Sequence, residues 1–157
     1  MIWIQILLLF LTPSGAQYGK GLKQSPDSAD TTYVYAVNMI KKYEGFRSKP
    51  YKLFNDTYKG YGHLIYSDYS HVTEAQADSI LKADLDSKFR QIHLKVNKKT
   101  RLLLAVYAYN CGNARKLYKW VGKPEFKDKY LSCVYANDKV LPGLKKRRID
   151  ELKILDL

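Results

Sequence analysis

The sequence predicts an α+β fold that is mostly α-helical, with a small β-hairpin region in its amino-terminal lobe. Helical periodicity covers residues 31–43 and most of the chain after residue 73, whereas residues 46–69 mix aromatic and turn-forming residues without a helical period. The 157 residues correspond to about one domain, and no internal repeat of roughly 20–50 residues is present. We therefore expect two lobes, with a groove between them that suits an extended ligand.

The chain begins with an apolar segment that predicts export. Residues 1–16 contain no charged side chain, and small residues precede a plausible cleavage point after Ala16, as in a secretory signal peptide. A buried amino-terminal helix is the alternative interpretation. We expect residues 1–16 to be removed, residues 17–30 to form a flexible leader, and the mature protein to be periplasmic or extracellular.

The first helix is predicted over residues 31–43, because its apolar side chains recur every three to four positions. It is expected to end near Glu44 and Gly45, since glycine is a typical helix stop. In the segment that follows, Pro50, Gly60 and Gly62 stand among tyrosines and phenylalanines. Aromatic residues between turn residues predict short β-hairpins.

Helical structure is expected to return at Thr73. Thr73 and Gln76 have the spacing of a capping box, in which each side chain satisfies a free backbone amide at the start of a helix. An apolar stripe then predicts a helix that runs to about Ile92. Residues 102–109 are apolar on nearly all sides, which is typical of a helix buried in the middle of a lobe.

The carboxy-terminal part is also predicted to be helical. Helical periodicity continues over residues 126–136, and Leu141-Pro142-Gly143 is expected to interrupt it before a last helix over residues 144–155. The cysteines Cys111 and Cys133 lie in this half of the chain. Export would permit a disulfide between them, and two buried free thiols are the alternative.

The composition excludes several classes of protein. Hydrophobic residues make up 46% of the chain, which is typical of a globular protein and not of a disordered or fibrous one. Two cysteines and three scattered histidines offer no zinc or iron–sulfur site, and no glycine-rich phosphate loop is present. We expect no metal and no cofactor.

Two carboxylates stand out as candidate catalytic groups. Glu44 lies at the end of the first helix, and Asp56 lies in the hairpin region. Glycoside hydrolysis needs an acid for the leaving oxygen and a base or nucleophile across the sugar ring. Most glutamates are simply solvated, so this pairing is a weak indication by itself.

Five short sequence motifs along the chain strengthen the interpretation that Glu44 and Asp56 are catalytic. They are Glu44-Gly45-Phe46-Arg47, Gly60-Tyr61-Gly62-His63, the capping box followed by Asp84, Tyr109-Asn110-Cys111-Gly112, and Gly143-Leu144 followed by Arg147-Arg148. Together they resemble the phage-type lysozymes of glycoside hydrolase family 24. The resemblance covers roughly residues 33–155, which is nearly the whole of the expected mature chain.

The resemblance implies a lysozyme-like catalytic domain over residues 31–157. Its expected reaction is cleavage of the β-1,4 bond between N-acetylmuramic acid and N-acetylglucosamine in peptidoglycan, with Glu44 as general acid. A groove wall of low polarity would keep this carboxyl protonated. Leu64, Tyr109 and Asn110 match positions that line the sugar groove, with ordinary core packing as their alternative role.

The chain departs from the family pattern at the second catalytic group. Leu53 stands where the family has a carboxylate, and Tyr58 stands where it has a threonine. Because the loop is one residue shorter, Asp56 and Thr57 are the candidates to fill these catalytic roles. The alternative is a catalytically weak or inactive peptidoglycan-binding module on a lysozyme scaffold.

The resemblance also assigns a structural role to His63. The family pairs this histidine with an aspartate, which here is Asp84, and a catalytic histidine is the alternative. Asp84 lies on the helix that the capping box begins.

The net charge of the chain indicates which kind of partner it binds. The chain carries 27 Lys and Arg against 15 Asp and Glu, a net charge of +12. A positive field favours encounter with peptidoglycan strands and the anionic cell-wall surface. Nucleic acid is the rival partner, and the secretory leader argues against it. We expect no nucleic-acid partner and a monomer.

Overall fold

The computed structural model describes residues 29–136 and 139–157 of the chain. The helices are α1 Thr31–Glu44, α2 Glu74–Arg90, α3 Lys98–Cys111, α4 Arg115–Tyr118, α5 Phe126–Leu131 and α6 Pro142–Leu152, and a 3-10 turn follows at Lys153–Leu155. The strands are β1 Arg47–Leu53, β2 Asp56–Gly60, β3 His63–Ile65, β4 Tyr135–Ala136 and β5 Lys139–Val140. This arrangement confirms the predicted α+β fold.

The predicted signal peptide over residues 1–16 lies outside the described residues, as does most of the predicted leader. The last residue of that leader, Asp30, is described and caps α1. Its carboxylate accepts a hydrogen bond from the Thr32 amide at 2.8 Å and another from the Lys98 ammonium group at 2.8 Å. Helix α1 therefore begins at a fixed point against the start of α3.

The first three helices follow their local signals. Helix α1 ends at Glu44 as predicted, because Gly45 takes a φ of 69°, a conformation that favours glycine. The capping box of Thr73 and Gln76 is present at the start of α2. Helix α3 carries the most buried segment of the chain, since residues 102–107 are each at most 1% exposed.

Two boundaries in the carboxy-terminal part were predicted incorrectly. The helix expected to reach Ala136 ends at Leu131, and the chain then forms a short antiparallel pair of β4 and β5. The last helix begins at Pro142 instead of Leu144. Proline has a fixed φ and no amide hydrogen, and both properties suit the first turn of a helix, so Pro142 starts α6 and does not interrupt it.

Strands β1, β2 and β3 form an antiparallel sheet in that order. A turn at Phe54 and Asn55 joins β1 to β2, so that Leu53 pairs with Asp56 and Tyr51 with Tyr58. Helix α2 contacts both this sheet and α3, and it thereby joins the sheet to the helical lobe. Within the described ranges, none of the helices is both long and apolar enough to cross a membrane.

Candidate active site

Glu44 is the last residue of α1, and its side chain is buried. Only 7% of the side chain is exposed. The amide of Gly45 donates to the Lys41 carbonyl at 3.0 Å and closes the helix directly after it. Arg147 of α6 donates from Nη1 to Glu44 Oε1 at 2.8 Å. The carboxylate is thus held between the end of one helix and the side of another.

Arg147 belongs to a buried ion-pair network on α6. Its Nε donates to Glu151 Oε1 at 3.0 Å, and Tyr130 donates its hydroxyl to Glu151 Oε2 at 2.6 Å. Burial lowers the pKa of Arg147, but the carboxylates of Glu44 and Glu151 outweigh burial, and the net shift is upward. The wall around Glu44 is therefore buried, but it contains a charged partner that the sequence interpretation did not foresee.

Arg148 extends this network to the end of α3. It pairs with Glu151 and donates from Nη2 to the Asn110 side-chain oxygen at 2.5 Å. Its Nε donates to the Cys133 carbonyl at 3.1 Å. Cys111 and Cys133 are both half-buried free thiols in this structure. The orientation of Asn110 is consequently fixed by the same helix that holds Glu44.

A cleft of about 330 Å³ lies where the sheet, α2 and the end of α3 meet. It is lined by Tyr58, Gly62, His63, Leu64, Asp84, Ser87, Lys88, Gln91, Tyr109, Asn110 and Gly112. The three residues expected to line the sugar groove, Leu64, Tyr109 and Asn110, are brought together here. Tyr109 also donates its hydroxyl to the Tyr61 carbonyl at 2.8 Å and so connects α3 to the sheet.

Glu44 lies beside this cleft, although it is not among the lining residues. Burial raises the pKa of Tyr109, and the negative charge of Glu44 raises it further. The same two causes raise the pKa of Tyr51 on β1. Glu44 is therefore close enough to act electrostatically on Tyr109, which lines the cleft, and on Tyr51 of strand β1.

The register of the hairpin separates Asp56 from Thr57. Successive residues of a strand point to opposite faces, so Asp56 shares a face with Tyr58 and, across the strand pair, with Leu53. Tyr58 donates its hydroxyl to Asp56 Oδ2 at 3.4 Å. Thr57 lies on the opposite face, paired with Lys52 and Ile65. The structure does not bring Asp56 and Thr57 to the same side of the sheet.

His63 and Asp84 are in direct contact. His63 Nδ1 lies 2.8 Å from Asp84 Oδ2, and each side chain is about one-third exposed, at 34% and 32%. Because His63 is on β3 and Asp84 is on α2, this contact connects the sheet to the helix that runs between the lobes.

The sequence interpretation missed two groups at the site. The first is the pair Arg147 and Glu151, which have the i,i+4 spacing of a helical ion pair. The second is Lys88, whose ammonium group lies in the cleft and donates to the Gly112 carbonyl at 2.9 Å. Burial lowers the pKa of Lys88, and Asp84 partly opposes this effect. Lys88 follows Asp84 by one helical turn, which is the signal that could have identified it.

A larger cavity of about 510 Å³ lies between α1 and the start of α2. It contains the carboxylates of Glu74 and Asp78, but these already have partners. Glu74 accepts from the Tyr61 hydroxyl at 2.7 Å, and Asp78 pairs with Lys41 and Lys82. Within the described ranges, no group of three or more His, Cys, Asp or Glu residues is arranged to hold a metal ion.

Solved structures resemble this fold. The muramidase domain of SpmX from Asticaccaulis excentricus has a TM-score of 0.64 and 23% identity, over 76% of this chain and 92% of that one. The active form of the P1 phage endolysin Lyz has a TM-score of 0.62 and 21% identity, over 76% of this chain and 82% of that one. At these identities the similarity establishes the lysozyme-like fold.

Sequence comparison identifies the family. The endolysins of Lactococcus phages c2 and phivML3 are each 32% identical to the chain over 133 residues, which cover 76% of it and 58% of the endolysin. The chain thus spans less than two-thirds of the length of these relatives. Residues 41–151, which include Glu44, the hairpin, the cleft and the α6 network, match the model of the phage lysozyme family. The chain therefore belongs to the phage lysozyme family.

Proposed function

We propose that the protein is a peptidoglycan hydrolase that cleaves the β-1,4 bond between N-acetylmuramic acid and N-acetylglucosamine. The observation that carries this proposal is the buried side chain of Glu44, which Arg147 holds beside an open cleft. The similarity to phage endolysins and to a muramidase domain supports the same reaction. The cleft combines a few polar groups with tyrosine and leucine side chains, as expected for a carbohydrate site.

Glu44 is proposed as the general acid. In its protonated form the carboxyl donates a proton to the glycosidic oxygen as the bond to the sugar breaks. Arg147 and the closed end of α1 fix the position of this carboxyl, so little reorganisation is needed when the substrate binds. Tyr109 and Asn110 are proposed to contact the sugars in the cleft.

Asp56 is proposed as the second catalytic group. It lies directly across the strand pair from Leu53, so their Cβ atoms are about 4.5–5.5 Å apart on the same face. That face also carries Tyr51, whose pKa is raised by burial and by the negative charge of Glu44. In this role Asp56 activates a water for attack on the opposite side of the sugar ring. Thr57 is not included, because it lies on the other face of the sheet.

The test is the loss of turbidity of a cell-wall suspension with the whole chain and with Glu44→Gln. The variant keeps the size and the hydrogen-bonding capacity of the side chain but removes its proton-donating ability, and we expect lysis to fall to background. Glu125→Gln is the matched control, because Glu125 is exposed and lies outside the cleft. Equal rates for the whole chain and Glu44→Gln would refute the role of Glu44.

A peptidoglycan-binding module without activity is the second candidate function. Leu53 favours it, because an aliphatic side chain cannot replace the carboxylate that the family has at this position. This alternative requires co-sedimentation of the protein with purified sacculi and no release of reducing sugar. Measured together, the two readouts separate a hydrolase from a binding module.

Export is proposed as well, with the anionic cell-wall surface as the site of action of a monomer. Its support is the uncharged segment of residues 1–16 and the net charge of +12. Amino-terminal sequencing of protein recovered outside the cytoplasm is expected to begin at Gln17. An intact amino terminus on the exported protein would contradict cleavage after Ala16.

A further inference from the structure

A second cavity of about 330 Å³ lies between α4 and α5 on the helical lobe. Its lining residues are Lys116, Leu117, Lys119, Trp120, Lys129, Ser132 and Cys133, and we call this cavity the lysine pocket. None of these residues also lines the cleft beside Glu44. The lysine pocket is therefore a separate feature of the surface.

The lysine pocket is built around the indole ring of Trp120. The ammonium groups of Lys119, Lys123 and Lys129 lie 5.2 Å, 5.5 Å and 4.9 Å from the centroid of this ring. These distances are in the range of cation–π attraction, which an exposed aromatic face provides. One half-buried tryptophan therefore gathers three positive charges at the same place.

A fourth cation lies on the same wall. The ammonium group of Lys116 is 5.5 Å from the centroid of the Tyr107 ring. None of the four lysines forms an ion pair with any residue of the described ranges, and the lining residues include no carboxylate. Ammonium groups concentrated in a recess repel one another and create a positive potential, and binding of an anion reduces this repulsion.

We propose that the lysine pocket binds the phosphodiester groups of a polyol-phosphate polymer, such as a glycerol-phosphate chain of the cell envelope. Lysine ammonium groups attract phosphate oxygens as point charges, without the planar bidentate geometry through which arginine recognises both carboxylates and phosphates. Several lysines around one recess match an anion that repeats along a flexible chain. This proposal goes beyond hydrolysis and does not depend on the role of Glu44.

The surroundings of the lysine pocket favour this ligand over two other polyanions. Membrane association combines basic residues with exposed apolar side chains, and the exposed large hydrophobic residues of the described ranges all lie outside the pocket. Single-stranded nucleic acid requires an aromatic face that is free for base stacking. The Trp120 ring instead carries three ammonium groups.

The experiment measures the affinity of the whole chain for purified poly(glycerol phosphate) by calorimetry at about 0.15 M salt, where long-range surface attraction is screened beyond roughly 8 Å. The test variant combines Lys119→Gln, Lys123→Gln and Lys129→Gln. We expect it to lose affinity by about ten-fold or more, the sum of three modest charge contacts. These lysines are exposed, so the fold is expected to persist and is checked by thermal melting.

The matched control combines Lys95→Gln, Lys145→Gln and Lys146→Gln, which removes the same charge from exposed positions outside the pocket. We expect the affinity of this control for poly(glycerol phosphate) to fall by less than about three-fold, because only the overall positive potential of the protein changes. Three results would overturn the proposal: no binding by the unmodified chain, equal losses in both triple variants, or tighter binding of phosphatidylglycerol vesicles or single-stranded DNA with the same lysine dependence. None of these readouts involves cell-wall lysis, so they are independent of the hydrolase test.

Discussion

The two sides of the candidate active site are built in opposite ways. On one side, Glu44 joins a buried network with Arg147 and Glu151, in which each charge has a partner of opposite sign. On the other side, Asp56 lies beside a two-residue turn, and among the described residues its carboxylate accepts a side-chain hydrogen bond only from the Tyr58 hydroxyl, at 3.4 Å. The difference shows that the position of Glu44 is fixed by tertiary structure, whereas the position of Asp56 depends on one short hairpin.

The largest expected effect concerns Asp56 and decides whether the hairpin side is catalytic. If Asp56 is the base, Asp56→Ala lowers the turnover number by about 10²–10⁴-fold, the usual contribution of a positioned base. Leu53→Asp is the companion variant, because it restores a carboxylate directly across the strand pair. Rates of reducing-sugar release from purified peptidoglycan measure both.

The outcomes for this pair of variants are distinct. Activity that survives Asp56→Ala and rises in Leu53→Asp would contradict the role of Asp56 and identify it as a turn residue. Thr57→Ala is the control on the neighbouring position, and we expect its turnover to change by less than about three-fold, because Thr57 lies on the other face of the sheet.

The next largest expected effect tests whether the buried network of Glu44, Arg147 and Glu151 stabilises the fold. Arg147→Met leaves the carboxylates of Glu44 and Glu151 buried without their shared partner, and breaking a buried pair in this way costs about 3–5 kcal/mol. Urea denaturation measures the change in the free energy of unfolding. Lys146→Met on the same helix is exposed, and we expect a change within about 0.5 kcal/mol. Similar values for the two variants would show that the network does not stabilise this side.

The same contrast explains what could be predicted from the sequence. Helices α1, α2 and α3 follow from local signals, namely apolar periodicity and a capping box, which act within a few residues. The contact between Glu44 and Arg147 joins residues 103 positions apart, and no local pattern encodes such a contact. The family resemblance identified both motifs, but it gave no indication that the arginine touches the acid.

The hairpin was harder to predict for a different reason. Which of Asp56 and Thr57 faces the cleft depends on the register, and a shift of one residue exchanges the two faces. The register is set by a turn at Phe54 and Asn55, and this dipeptide lacks the glycine that usually marks a two-residue hairpin turn. Sequence reasoning could therefore place a hairpin here but could not assign its faces.

A smaller effect tests how α6 is attached to α1 near the acid. Asp150 accepts hydrogen bonds from the Tyr43 hydroxyl at 2.6 Å and from Lys42 and Lys153 at 3.1 Å and 2.8 Å. Burial raises the pKa of Asp150, but these three hydrogen bonds outweigh burial and hold it well below its usual range. A lowered pKa means that the folded state favours the carboxylate, so this stability is present above about pH 4 and is lost as the pH falls below it.

Asp150→Asn is therefore expected to lower the free energy of unfolding by about 1.5–3 kcal/mol at pH 7, the scale of hydrogen bonds to a charged group. The difference in the free energy of unfolding between Asp150→Asn and the unmodified chain should shrink as the pH falls from about 4 to 2. Denaturation curves at several pH values measure it. Asp156→Asn is the control, because Asp156 is 71% exposed and its contact with Lys127 is 3.8 Å long. A difference that stays constant with pH would contradict the ionic origin.

The smallest expected effect tests whether the hairpin side is strained. Phe54 has a φ of 55°, the one positive value among the described residues other than glycine, and its side chain is 72% exposed. The left-handed conformation costs an L-residue about 1–2 kcal/mol, and glycine avoids this cost while losing about 0.5–1 kcal/mol of chain entropy. Phe54→Gly should therefore raise the free energy of unfolding by about 0.5–1 kcal/mol, as measured by urea denaturation.

Phe54→Ala is the matched control, because alanine removes the exposed ring but keeps the Cβ atom that causes the strain. Equal stabilisation by both variants would place the cost in the exposed ring and not in the backbone. A gain in Phe54→Gly alone would show that the hairpin beside Asp56 is held in a strained conformation, whereas the described residues of the network around Glu44 all have negative φ.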